Sequence, residues 1–211
     1  MALLGLTTTY VATLGSDGNA LVGAQNGGVS DTGVYEIDTL KKNGNLGATV
    51  ANVTGLSGTV QKVSGNNQIV DVVDSPAAPS VALTYNQINV VVKQALLGRK
   101  LENGGYVDTD GVVEAALIVE SRDEVENKPI YFAFPRGVFK ETAQNIQSNT
   151  DTTVQRETES LTFTAMASPK INNKPYKIYF ATAEGFSKKK MFDEVFGEKQ
   201  TFITEESPKS E

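Results

Sequence analysis

Hydrophobic residues recur at every second position in three short runs: Ile130, Phe132 and Phe134; Leu161, Phe163 and Ala165; and Tyr176, Ile178 and Phe180. Tyr, Thr, Ala or Lys stands between them, the pattern of strands that bury one face. Between the first two runs, Lys140 to Ser160 holds no aromatic residue and, among the larger aliphatics, only Ile146 and Val154. Such a segment cannot bury itself. A loop of this length in a compact fold is either a functional arm or a sign that the strands are misassigned.

Upstream, Leu3 to Leu14 has a Thr-rich, β-prone centre and ends at Gly15-Ser16-Asp17-Gly18-Asn19, where Asp-Gly predicts a hairpin turn with Ala20 to Val22 as the start of the return strand. Gln25 to Gly33 reads as a loop. Its glycines match neither Gly-x-Gly-x-x-Gly nor a Lys-terminated phosphate loop, and no helical pattern follows. Strands are predicted over Tyr35 to Leu40, Ala48 to Val53, Thr59 to Val63 and Gln68 to Val73, an antiparallel meander by spacing. Prolines in Asp74-Ser75-Pro76-Ala77-Ala78-Pro79 interrupt the pattern, and Ser80 to Tyr85 resumes it.

Asn86 is placed as the N-cap of a helix of about three turns, with Ile88, Val91, Val92, Ala95 and Leu96 at helical spacing and Gly98 past its end. Three consecutive valines make a strand the competing reading. Asp108-Thr109-Asp110-Gly111 opens like a calcium loop, but Leu117 stands where the ligating Glu is needed, so it reads as a hairpin turn. Glu114 to Ser121 is a strand leading into a charged hairpin, Arg122 to Lys128. In the strand predicted over Gln155 to Met166, Arg156, Thr158, Ser160, Thr162, Thr164 and Met166 share one face. That face is almost wholly polar and is expected to meet solvent or a wet channel.

Ser187 to Gly197 is a second helix, with Met191, Phe192, Val195 and Phe196 on one side. Lys188, Lys189 and Lys190 oppose the macrodipole at its start. They read as a solvated turn in preference to a contact with an acidic partner. Residues 205–211 read as a disordered tail.

Composition narrows the functional classes. Of 19 glycines, 12 fall within residues 1–66, whereas 14 of 16 aromatics lie from Tyr85 onward, so a Gly-rich stretch (1–73) precedes a core-forming one (80–204). Residues 1–204 are taken together as one domain. With no Cys and no His, the chain has no thiol nucleophile, no His-based triad and no common zinc site. No catalytic residue, metal ligand or cofactor is assigned. A net charge of −6 argues against a free-standing nucleic-acid binder, which depends on basic surface. The N-terminus supports neither a signal peptide nor a spanning helix, so synthesis in the cytoplasm without membrane contact is expected.

The order of an alternating aromatic strand, Pro135-Arg136-Gly137-x-Phe139, a long polar arm, Gln155-Arg156-Glu157 with Leu161-Thr162-Phe163-Thr164-Ala165, then Tyr176-x-Ile178-Tyr179-Phe180 resembles the major tail tube proteins of long, flexible-tailed phages of Gram-positive bacteria. Tyr131, Phe132, Phe134 and the upstream Ala95-Leu96-Leu97-Gly98 belong to the same likeness, which covers roughly the last 130 residues. The resemblance implies a β-sandwich of two sheets flanked by a helix. It also implies six copies per ring, with inner sheets joined into one barrel and rings stacked into a tube that conducts genome DNA without binding it specifically. The implied partners are further copies of the chain and other tail proteins, such as the tape measure, distal tail and terminator proteins. The implied location is the virion tail.

On that resemblance the polar segment is an arm reaching onto neighbouring subunits, with Thr142, Gln144, Asn145, Asn149 and Asp151 as candidate contact residues. Arg156, Thr158, Ser160, Thr162 and Thr164 are the candidate channel wall, with Arg156 the exception to its neutrality. Two rivals stand beside this reading. A carbohydrate- or receptor-binding β-sandwich would need exposed aromatics, yet there is no Trp and most aromatics alternate as core residues. A hydrolase using Glu157 and Glu159 has no supporting motif.

Overall fold

The computed structural model describes residues 2–149 and 157–204. Asp151, Arg156 and the tail reading of residues 205–211 lie outside the described residues. In chain order the strands are β1 (Leu3–Thr13), β2 (Tyr35–Ile37), β3 (Gly47–Thr54), β4 (Val60–Gly65), β5 (Gln68–Asp74) and β6 (Ser80–Gln87), then helix α1 (Val90–Leu96). There follow β7 (Lys100–Glu102), β8 (Gly105–Val107), β9 (Ala115–Asp123), β10 (Pro129–Lys140), β11 (Glu159–Ala165), β12 (Lys177–Phe180) and helix α2 (Lys188–Phe196).

One hydrogen-bonded antiparallel sheet carries eight strands in the order β2-β1-β9-β10-β11-β6-β3, with β12 also paired to β10. β4–β5 and β7–β8 form two-stranded hairpins of their own. The sheet curves until β1 lies against β3 without pairing to it. Its inner face encloses a core to which β1, β6, β9, β10 and β11 all contribute, through residues such as Val11, Leu83, Leu117, Phe132, Phe134, Phe139 and Phe163, with Val92 and Leu96 of α1 packed into it. Alternation thus places the aromatic residues of the three C-terminal runs where the pattern predicted, apart from Phe180, which is exposed.

The outer face is divided. Over β1, β9 and the first half of β10 it is covered by α2, whose Met191, Phe192, Val195 and Phe196 pack on Tyr10, Ile118, Tyr131 and Ala133. The lysine run at the start of α2 is not a solvated turn throughout. Lys188 Nζ lies 5.3 Å from the Tyr10 ring centre and 5.6 Å from that of Tyr131, and 3.8 Å from the buried Glu120 carboxylate. Cation–π attraction and that charge hold the lysine against the sheet, so its charge anchors the helix despite the dipole. Lys189 pairs with Asp193 one turn on.

Several boundaries differ from expectation for identifiable reasons. The cap of α1 is Asn89, whose side chain accepts hydrogen bonds from the Val91 and Val92 amides. Asn86 lies within β6, because the ladder with β3 continues to Gln87 opposite Gly47, and the helix is correspondingly short at seven residues. Gly98 follows it in the left-handed region (φ 73°), as placed. Asp17-Gly18 does turn the chain, but the return is a single bridge, Leu14 to Ala20. The meander fails because β3 pairs with β6 across the intervening β4–β5 hairpin. The hairpin turn placed at Asp108–Gly111 is instead at Asn103-Gly104, between β7 and β8.

Gly137 shows how tightly β10 and β11 meet. A Cβ there would lie 2.4 Å from Phe163 Cζ and 2.4 Å from the Thr164 carbonyl oxygen. Neither the backbone nor a buried ring can move aside cheaply. Gly137→Ala is therefore expected to cost about 2–3 kcal/mol through overpacking, read as a lower urea midpoint with an unchanged slope.

Candidate functional site

The second half of β10, with β11, β6 and β3, has no helix over its outer face. On β11, Ser160, Thr162 and Thr164 point to that face, while Leu161 and Phe163 are buried inside. The register sets Thr162 opposite Ala82 and Lys140, and Ser160 opposite Thr84, and Ala82 stands opposite Asn52. Lys140 is the one charged side chain on this face among the paired residues of these four segments. Threonine hydroxyls on β3 bond back to the sheet, Thr49 to the Thr84 carbonyl at 3.1 Å and Thr54 to the Ser80 carbonyl at 3.3 Å. The face is polar, small-residued and nearly uncharged. Thr158 is exposed just before β11.

Beside this face the sheet ends on a bare edge. Among the described residues β3 pairs with β6 alone, and β2 covers β1 only from Thr9 to Val11. The facing stretches of β1 and β3 leave an apolar groove of about 410 Å³ lined by Leu3, Leu6, Ala51, Val53, Leu56 and Phe132. Unsatisfied strand edges of this kind are templates for pairing with another chain.

The polar arm is anchored at its root by a charge cluster that sequence reasoning missed. Lys93, on the inner side of α1 and only 7% exposed, places Nζ 2.6 Å from Glu141 and 2.7 Å from Glu159. These two carboxylates flank the arm, so one ammonium ties both of its ends. Arg99 adds a second cation on Glu141 at 3.0 Å, and the other oxygen of Glu159 accepts from the Ile88 amide at 3.2 Å. Burial opposes ionisation of Glu141, but hydrogen bonds from Lys93 and Arg99 outweigh it and hold the carboxyl below its usual range. For Lys93, burial disfavours the charge, yet its bonds to Glu141 and Glu159 raise its pKa above the ordinary lysine value. No signal in the Val90-Val91-Val92-Lys93 run announces this role.

Among the predicted arm residues, Thr142, Gln144, Asn145 and Asn149 are exposed. Gln144 accepts a long bond from Lys93 at 3.4 Å, and Asn145 donates to Glu157 at 3.0 Å. Glu157 and Glu159 are thus engaged as structural partners. Among the described residues, no group of three or more Asp and Glu is placed to hold a metal ion, and no helix is long and apolar enough to cross a membrane. The two strands predicted over Thr59 to Val63 and Gln68 to Val73 are present as β4 and β5 and pair with each other, but the hairpin they form is solvent-exposed and stands apart from the main sheet, which the sequence reading did not anticipate. The signal present was the run Ile69-Val70-Asp71-Val72-Val73, which is apolar on both faces of a strand.

Against known proteins, a family model described as phage tail tube protein matches residues 1–202. No curated protein matches the chain.

Proposed function

From the premise that the chain belongs to the phage tail tube protein family, and so is a structural protein of the virion tail, we propose that six copies close into a ring and that rings stack into the conduit for genome DNA. The observation that carries this reading is the β3 edge, unpaired among the described residues, lying beside a sheet face whose one charge among the paired residues is Lys140. Edge-to-edge pairing between copies would complete the ladder and remove the aggregation hazard. It would also join the outer faces of β11, β6 and β3 into one continuous wall.

That wall would carry Thr158, Ser160, Thr162 and Thr164 towards the lumen. Hydroxyl groups offer DNA a wettable surface, and the scarcity of cations avoids the counterion-release attraction that would retain phosphates. Lys140 is the exception to be explained by position within the ring. The two-layer reading is supported by the curvature of the sheet, which brings its β1–β9 and β6–β3 portions to opposite sides of one core. The arm contacts a neighbouring subunit through Thr142, Gln144, Asn145, Asn149 and Asp151. The tape measure, distal tail and terminator proteins would meet the ends or interior of the tube, and the protein itself is non-catalytic.

Native mass spectrometry and negative-stain microscopy of the purified protein test the reading. Rings or tubes are expected; a monodisperse monomer that binds glycans would overturn it. In the same assay, removal of residues 142–153 is expected to leave a folded protomer that does not polymerise. Loss of folding in that variant would instead place the segment within the core.

A further inference from the structure

Every residue of β4 and β5 except Gly65 is exposed, although the two strands carry Val60, Val63, Ile69, Val70, Val72 and Val73. Apolar side chains stand on both faces, and neither outer edge of the hairpin is paired. An isolated two-stranded hairpin is marginal in water, and an exposed apolar surface of this kind marks an interaction site. The hairpin leaves the sheet after Thr54 and rejoins it at Ser80, so it stands at one end of β6. α1 follows the other end of that eight-residue strand, a separation of about 25 Å.

At the α1 end lies a groove of about 660 Å³ between the helix, the loop following β1 and the segment before β9. Leu21, Ala95 and Val113 contribute its apolar lining, Arg99, Lys100 and Arg136 its cations, and Glu114 its carboxylate. Val91 and Val112, which also line it, are 60% and 66% exposed. Arg99 is engaged with Glu141 and Arg136 with Glu114. Lys100 is exposed and makes no ion pair among the described residues. In a chain of net charge −6, Lys100 is thus the cation that this rim leaves without a carboxylate among the described residues. β5 offers the complement, since Asp71 and Asp74 are interleaved with its valines.

We propose that the β4–β5 hairpin of one copy seats in the groove beside α1 of a second copy, its valines on the apolar lining and Asp71 and Asp74 near Lys100. The inference rests on the self-assembly reading and specifies which surfaces meet. Donor and acceptor lie at opposite ends of β6, so the contact is head-to-tail. A heterologous contact of that kind does not close within a pair, and when repeated it extends into a column unless its rotation closes a ring.

The chain has no cysteine, which permits a clean crosslinking test. Val72→Cys and Val112→Cys are introduced together and singly, and the assembled protein is treated with a short bis-maleimide. The double variant is expected to give a ladder of covalent multimers, an equal mixture of the single variants to give crosslinked dimers, and each single variant alone to stay monomeric. If the double variant does not assemble, V70C with V91C provides a second pair on the same two surfaces. K100E alone is expected to slow polymerisation about tenfold, and D71K/D74K in the same chain to restore it. Tubes that form without a ladder from either pair, or slowing without restoration, overturn the docking and leave self-assembly standing. An unmodified chain that forms neither ring nor tube ends both.

Discussion

Replacing Phe163 with alanine is expected to destabilise the protomer by about 4 kcal/mol, within the range for truncating a fully buried phenylalanine. The ring is 0% exposed, meets Phe139 edge-on at 4.9 Å and Phe134 at 5.9 Å, and closes the space over Gly137. Its strand, β11, has no helix over its outer face, so inner-face packing and the ladders to β10 and β6 are what hold it. Backbone on both sides is fixed by those ladders, which limits collapse into the vacated space. At ~2–4 °C per kcal/mol for a chain of this size, the thermal midpoint should fall by roughly 10 °C. A loss below about 1 kcal/mol would show that the site relaxes freely, contrary to the packing described.

Lys93→Met should cost about 3 kcal/mol, because it leaves Glu141 and Glu159 facing one another in a poorly solvated site without their shared cation. The figure sits at the low end of the range for a broken buried pair, since the side chains of Glu141 and Glu159 retain 11% and 19% exposure and Arg99 still reaches Glu141. Adding E141Q and E159Q to K93M should recover most of the loss, as replacing a whole buried ionic group by neutral groups is close to neutral. Failure of the triple variant to recover would show that Lys93 acts through its packing alone.

The same cluster fixes a pH window. Glu141 is held below its ordinary value, so its contribution is present above the unfolded carboxylate range and is lost as pH falls through the depressed value. Lys93 is raised, so its contribution is full below the ordinary lysine value and is lost as pH rises through the raised one. Stability from the arm root is therefore greatest between those limits. Urea titrations of the parent protein and of K93M should converge on acidification.

Much of the sheet was legible from period-two alternation, because Ile130, Phe132, Phe134, Leu161 and Phe163 all face the one core, although a wet opposite side holds for β11 and not for the first half of β10, where Tyr131 and Ala133 are buried under α2. α2 was legible for the same reason at helical period, bounded by Ser187 and Gly197. What alternation cannot carry is pairing order. β3 and β4 adjoin in sequence, yet β3 bonds to β6, a choice made by long-range burial of Val81 and Leu83. The start of α1 was misplaced since Asn86 and Asn89 are equally good caps in isolation, and only the ladder to Gly47 excludes the first. In the candidate site, the neutral face of Ser160, Thr162 and Thr164 followed from parity. Lys93 did not, because its two partners are far along the chain and only the fold brings them to α1.

Strand β1 has a temporal consequence. It is the first strand of the chain, yet its long partner is β9, with Leu3 opposite Asp123. During synthesis those residues wait until Asp123 has been made before their ladder can form, whereas β9 and β10 zip locally. Loop closure over that distance is slow, so the nascent chain exposes unpaired Leu3, Leu4 and Leu6 for longest. Folding rate, more than final stability, should respond to changes there, and chaperone binding during translation should concentrate on that segment.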